Sequence, residues 1–348
     1  MVTIGIDPHK DTHWAVAIDE VGRRIADREC RAVSDGFGEM LAWARTLGGQ
    51  RTWVLEDCRH VSGPFERFLI DHGERAARLA PHLMAQARGT VRERGKSDPI
   101  DALAVARAAL KEGLDNLPTA QLGGIELDIR LLHQHHQRLV RQRTALINDL
   151  RWNLHDLWPD LKLPARALNS LKLQHQLARR LARAATSARV KIARDELRRI
   201  RELTRAIHQL IHDLHTTVSE VAPQLLAETG IGPITGAQLI GEIAGIDRFA
   251  NDSKLARLAG CAPIPVSSGR TDRHRLDRGG NRQLNNAIHT IALTRLRHDP
   301  RTAAYIARQR QTGKTHREAI RCLKRHLIRR IYQLLTHPNQ IRRTACLT

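Results

Sequence analysis

Hydrophobic positions at the start of the chain come in short bursts. Val2 to Ile6 is an apolar run, His13 to Ile18 mixes apolar residues with β-formers, and Ile25 to Arg31 follows a turn-like Asp-Glu-x-Gly at 19 to 22. Runs of this length bounded by turn residues predict strands. A helix is predicted near Gly36 to Leu47, and Thr52 to Leu55 is another short buried-type strand, ending at Glu56. Strands alternating with helices over the first 115 residues predict an α/β domain.

The pattern then changes period. No glycine occurs between Gly124 and Gly230, and proline appears there only at 159, 164 and 223. Leu132, Leu139 and Leu146 repeat at seven, while Leu197, Ile200, Leu203, Ile207, Leu210, Leu214, Val218 and Val221 advance by three or four. Each series predicts a helix with one apolar stripe. Such a stripe must bury itself against an antiparallel neighbour in the same chain or against a partner subunit. Pro159 to Pro164 marks the break between two such helices. From Leu225 onward, glycine-punctuated short helices are expected. ETGIGPITGAQLIGEI, residues 228 to 243, has the Gly-x-Gly turn before a helix that helix-hairpin-helix modules use. Gly230 and Gly232 are therefore candidate sugar-phosphate contacts, because glycine lets backbone N–H groups approach a phosphate closely.

Charge sharpens this picture. The 348 residues carry a formal charge of +21. Residues 1 to 115 hold 17 basic and 18 acidic side chains, whereas 253 to 335 hold 19 basic and 4 acidic. A polyanion-binding surface is thus expected toward the C-terminus, with nucleic acid the expected partner. No long apolar run or N-terminal signal supports membrane insertion or export. The five cysteines are scattered and never form C-x-x-C, so reduced thiols in a cytoplasmic protein are expected, without a zinc site or a disulfide framework. His133, His135 and His136 lie in a basic helical stretch lacking Cys or carboxylate partners at ligand spacing, a weak metal signal.

The acids give the chemistry. Asp7 ends one apolar strand and Glu56, in WVLEDC, ends another; in GKSDPIDALAVARAAL, Asp98 and Asp101 stand three apart at the start of a helical run, on one face. A structural role is open to each: Asp98 as an N-cap before Pro99, Asp101 complementing the helix dipole, Asp7 capping a turn, Glu56 pairing with Arg59. Clustered together, four acids repel one another unless divalent cations fill the site, and oxygen ligands suit Mg²⁺ or Mn²⁺. Two such ions could activate a nucleophile and stabilise a leaving oxygen in phosphoryl transfer.

The set GIDPHKDTH, VLED and KSDPIDA, followed by a helical region and then GIGPITGAQLI, APIPVSSG and GGNRQLNNA, resembles the DEDD transposases of bacterial insertion sequences, the insertion-sequence-110 family and its Piv DNA invertase relatives. The match runs over roughly residues 3 to 335. The resemblance implies a RuvC-like (RNase H type) α/β catalytic domain over 1–120, a helical coiled-coil dimerisation region over 121–222, a mainly α domain with a helix-hairpin-helix and a serine over 223–340, and a basic tail at 341–348. It implies Mg²⁺, with Mn²⁺ possible, on Asp7, Glu56, Asp98 and Asp101. It also implies that the serine directly before a glycine, Ser268, attacks DNA and forms a phosphoserine link, with Ser267 the fallback. By composition alone, SSG between prolines and arginines is ordinary loop chemistry.

Arg270, Arg273, Arg275, Arg278 and Arg282 recur every two to four residues across a loop and helix start and could clamp phosphates, with Gly279, Gly280 and Asn281 turning into that helix. Two departures stand out. Asn285 occupies a position where the family usually has arginine, and Pro99 replaces a basic residue of the commoner Lys-Thr-Asp-Arg-x-Asp. The implied partners are double-stranded DNA of the element junction and target and a structured bridge RNA, with homodimers assembling into tetramers on nucleic acid in a cytoplasmic, nucleoid-associated protein. An aromatic content of only 3% suits backbone binding of duplex or folded RNA better than base stacking on single strands. Two rival readings stay open: a RuvC-like nuclease of branched DNA using metal-activated water, and a non-enzymatic nucleic-acid-binding protein whose acids are structural.

Overall fold

The computed structural model describes residues 1–56, 59–79, 97–117, 124–268, 271–275, 277 and 279–337. It divides into two compact units, Met1–Gly124 and Ile125–Thr348. The tail at 341–348 lies outside the described residues.

The first unit is built on a five-stranded mixed sheet. Strands β1 (Val2–Pro8), β2 (Thr12–Ile18) and β3 (Arg24–Arg31) are antiparallel neighbours, and β4 (Arg51–Glu56) and β5 (Ala76–Leu79) add on parallel to β1, giving the order β3-β2-β1-β4-β5. Strand β1 sits at the centre and is buried on both faces, which explains its unbroken apolar character. Helices α1 (Ser34–Thr46) and α2 (Arg59–Asp71) contribute Phe37, Met40, Phe65 and Leu69 to one face, packed with Ile4, Ile6, Ala15, Trp53 and Leu55. Helix α3 (Asp98–Glu112) covers the other: Val105 and Ala109 meet Val54, and Ala102 and Ala106 meet Val16 and Ile18. Under the first face, Glu66 and Arg78 form a buried two-pronged ion pair at 2.6 and 2.8 Å.

In the second unit the two long stripes bury against each other within one chain. Helix α4 (Ile125–Leu157) and helix α6 (Ala188–Val221) run antiparallel: Ile129 shares a core with Leu214 and Val218, while Leu150 and Leu154 share one with Leu197 and Ile200. The intervening α5 (Leu171–Arg183) adds Leu177 and Leu181 to the latter. In α4 the expected Leu132, Leu139 and Leu146 are only partly buried, and in α6 the seam differs from the expected stripe at two places. Thr204, not Leu203, is the buried residue, bonded to Ile200 O and accepting from Gln174, and Val221 is exposed. A spacing of 197, 200, 204, 207 follows the 3.6-residue period more closely, so Leu203 falls to the flank. His133 and His136 lie buried in α4, where loss of hydration favours the neutral ring and lowers both pKa values.

Beyond these helices come α7 (Pro223–Leu226), α8 (Pro233–Ile243), α9 (Asp252–Leu258), a hairpin of β6 (Ile264–Ser268) and β7 (Thr271–Arg275), and then α10 (Arg282–His298), α11 (Pro300–Gln311) and α12 (His316–Thr336). Their core joins Leu239 and Ile243 of α8 to Leu255, Ile288, Ile291, Leu323 and Leu327. The hairpin corrects the expectation of a loop: Thr271–Arg275 is too charged to show an apolar alternation, so its strand character is invisible in pattern. Among the described residues no helix is long and apolar enough to cross a membrane.

Candidate metal centre and serine hairpin

Side chains alternate across a strand. Ile4 and Ile6 enter the core under α1 and α2, so Gly5 and Asp7 share the opposite face of β1, the one that α3 covers. Val54 meets α3, and Glu56, two residues on, shares its face of β4. The parallel register sets Ile6 opposite Leu55, which brings Asp7 and Glu56 side by side at the strand ends. Gly5 fixes how near α3 can come. A methyl group there would lie 2.2 Å from Ala102 O and 2.5 Å from the Ala106 nitrogen. This close approach delivers the first turn of α3, with Asp98 and Asp101, to the same strand ends. The N-cap is Ser97, not Asp98, and its side chain makes no capping hydrogen bond.

Asp7 is only 6% exposed. Burial is the main cause that pushes its pKa from 3.8 up to about 6; His9 opposes the rise, and Asp101, Asp98 and Glu56 each add to it. The other three acids therefore all bear on Asp7. Among the described residues no group donates a hydrogen bond to Asp7, and its ion-pair partner is His9, whose Nδ1 lies 3.8 Å from Asp7 Oδ2. His9 Nε2 is 3.9 Å from Asp98 Oδ1. Among the described residues, the donor atoms that lie within 4.8 Å of one another are those of Asp7, His9 and Asp98; a buried carboxylate with a second carboxylate at that range and no hydrogen-bond donor is the environment a divalent cation stabilises, so these residues fit Mg²⁺ or Mn²⁺.

The remaining candidates lie in the second unit. Ser268 is the last residue of β6, opposite Thr271, and Arg273 is opposite Val266 in the hairpin. Arg275 and Arg282 are exposed, the latter opening α10, while Arg270 and Arg278 lie outside the described residues. Gly230 has φ of +89°, and a Cβ on it would meet Arg295 Cγ at 3.0 Å and Ile291 O at 3.1 Å, so it is a packing contact against α10. Gly232 caps α8, with open space where a Cβ would sit. Asn281 caps α10, accepting from Gln283 and Leu284 N–H groups, and donates to Glu242 at 2.7 Å. Asn285 donates to Ala259 O at 2.6 Å and accepts from the buried Lys324 at 2.5 Å. Both asparagines are thus committed inside the fold. Beside the hairpin is a cavity of about 750 Å³ whose walls include Arg275, Tyr305, Arg321 and Lys324.

A transposase family model of the IS110 DEDD type matches residues 4–159, and the transposase model of the IS116/IS110/IS902 family matches 222–307. The chain belongs to the IS110 family of insertion-element transposases. It is 26% identical to the uncharacterised 42 kDa protein of insertion element IS900 of Mycobacterium paratuberculosis, over 96% of this chain and 95% of that protein. The uncharacterised 44.8 kDa protein of IS116 from Streptomyces clavuligerus is 24% identical over 96% and 94%. Among solved structures, T. thermophilus RuvC in complex with a Holliday junction substrate matches 34% of this chain and 99% of its own, at 14% identity and a TM-score of 0.27.

His9, inside the motif GIDPHKDTH, joins Asp7 and Asp98 in this cluster although it is not an acid. Its signal in the sequence is its position, two residues beyond Asp7, where the chain turns and His9 N–H bonds Thr12 O at 2.9 Å.

Proposed function

We propose that this IS110-family transposase cuts and rejoins DNA at its element's ends through a transient link between Ser268 Oγ and a DNA phosphate, with Mg²⁺ held by Asp7, Glu56, Asp98 and Asp101. The observation that carries the reading is the influence of Glu56, Asp98 and Asp101 on Asp7, whose burial and raised pKa leave it in need of a cation. When bound, the ion supplies charge neutralisation at the phosphate and polarisation of an attacking or leaving oxygen. Asp7, Glu56, Asp98 and Asp101 hold and orient it; Arg275 and Arg282, both exposed near Ser268 in sequence, contribute positive charge for the DNA backbone. Serine attack on phosphorus expels a nucleoside hydroxyl, and in the rejoining step the corresponding hydroxyl of the exchanged strand attacks the phosphoserine and releases Ser268, so each phosphoester broken is replaced by one formed and no external donor is needed. The +15 balance over 253–335 supports DNA and RNA backbone binding by this unit, and Gly232 at the start of α8 leaves room for a phosphate. A bridge RNA encoded beside the gene supplies target choice, and subunits pair as dimers and assemble as tetramers on DNA, so that acids and serine from different subunits can meet.

The test mixes purified protein with Mg²⁺, RNA transcribed from the flanking noncoding DNA, and labelled junction and target DNA. A denaturation-resistant protein–DNA adduct is expected, absent in Ser268→Ala and in Asp7→Ala. Cleavage without adduct and insensitive to Ser268→Ala would instead establish the metal-dependent nuclease, and binding without cleavage the non-enzymatic reading.

A further inference from the structure

We propose that His9 is a nitrogen ligand of the divalent cation at the acid cluster, and that it biases the site toward Mn²⁺ over Mg²⁺. The inference rests on the cation-binding reading above and adds to it a residue and a metal preference.

Geometry supports it first. Donor atoms of Asp7, His9 and Asp98 all lie within 4.8 Å of one another. Ligand atoms about 2.1 Å from one ion sit roughly 3 to 4.2 Å apart around an octahedron; His9 Nδ1 stands 3.8 Å from Asp7 Oδ2 and Nε2 stands 3.9 Å from Asp98 Oδ1, so the single nitrogen that an ion would take lies in that range of one carboxylate and within 4.8 Å of the other. Both separations are too long for hydrogen bonds. Neither ring nitrogen of His9 has a hydrogen-bond partner among the described residues, so the ring is not committed elsewhere. Its backbone, in contrast, is anchored by the His9 N–H to Thr12 O bond, which holds the residue at the mouth of the cluster. Asp7 provides the independent sign of a missing ligand, being a carboxylate more than nine-tenths buried that no described group satisfies with a hydrogen bond.

Chemistry then sets the preference. Mg²⁺ takes oxygen ligands and retains water, whereas imidazole nitrogen favours first-row transition metals. Mn²⁺ accepts the same octahedral oxygen set and tolerates nitrogen as well. Replacing one oxygen donor by His9 thus costs Mg²⁺ more than Mn²⁺. Since His9 is half-exposed, its removal leaves the packing of β1 and α3 in place.

The experiment uses the full chain freed of metal by chelation and loaded with substoichiometric Mn²⁺. Pulsed electron paramagnetic resonance is expected to show hyperfine coupling to an imidazole nitrogen, changing in frequency when the histidines are ¹⁵N-labelled. The coupling should vanish in His9→Ala, with Mn²⁺ affinity falling about tenfold and Mg²⁺ affinity, read by competition, changing less than threefold. Circular dichroism would verify the fold of each variant, and the nitrogen coupling in the unmodified chain needs no variant. Mn²⁺ binding that is lost in Asp7→Ala but shows no nitrogen coupling, or is unchanged in His9→Ala, would overturn the His9 assignment and leave the cation site standing. No Mn²⁺ binding, or binding indifferent to Asp7→Ala, would overturn both.

Discussion

Asp7→Asn should make the metal-free protein more stable while abolishing its cation site. The carboxyl titrates at 3.8 in an unfolded chain and at about 6 when folded, with burial the main cause and the three neighbouring acids adding to it. A raised folded-state value means the folded protein holds its proton more tightly. The contribution to stability is therefore fully present below pH 3.8 and is lost as pH rises through about 6. At about 1.4 kcal/mol per tenfold change in proton affinity, the loss amounts to ~3 kcal/mol by pH 8. Asparagine keeps the shape and carries no charge; allowing for its buried amide, a net gain of about 2 kcal/mol is expected at pH 8. Urea unfolding of the full chain in chelator, followed by hydrogen exchange in β1 and β4 peptides, would localise the effect to the first unit. Wild-type stability should fall between pH 4 and pH 7 relative to the variant. Saturating Mn²⁺ should reverse the order, adding ~2.7 kcal/mol to wild type at a hundredfold excess over Kd and nothing to the variant. A variant less stable than wild type at pH 8 without metal, or one with the same pH slope, would refute the reasoning.

Three further outcomes follow from the packing. Gly5→Ala inserts a methyl 2.2 Å from Ala102 O and must push α3 off β1; thermal melts should show a loss of 2 kcal/mol or more, and Mn²⁺ titration a weaker site, because Asp98 and Asp101 move with the helix. Glu66→Gln removes the buried counter-charge of Arg78, and denaturant unfolding should register a cost of about 3 kcal/mol. In α4, burial lowers the pKa of His136, so its neutral form contributes stability above pH 6.5 that is lost on acidification; His136→Leu should therefore lose less stability than wild type between pH 7.5 and pH 5, measured by urea midpoints.

Much of the site was legible because its logic is local. Alternation in β1 sends Ile4 and Ile6 one way and Gly5 and Asp7 the other, and the alanines of α3 announce a helix able to lie close to a strand. An acid at each strand end and two on one helix turn then converge once strand order is fixed. What stayed hidden depends on distance. A three-and-four-residue stripe reads the same whether its cover is α4 of the same chain or a partner, so the α4–α6 pairing could not be chosen from pattern. Gly230 and Asn281 suggested phosphate contact by residue type, yet the helix α10 that occupies Gly230's flank, and Glu242, which engages Asn281, lie many positions away in sequence.

His9 shows the same limit from the other side. A histidine two residues after an aspartate has no diagnostic spacing, because its significance depends on Asp98, 89 residues later, arriving 3.9 Å from its second nitrogen. Gly5 is what permits that arrival. The donor set of the site is thus decided by the one residue of β1 that has no side chain, and the metal preference we assign to His9 depends on a helix approach that glycine alone allows.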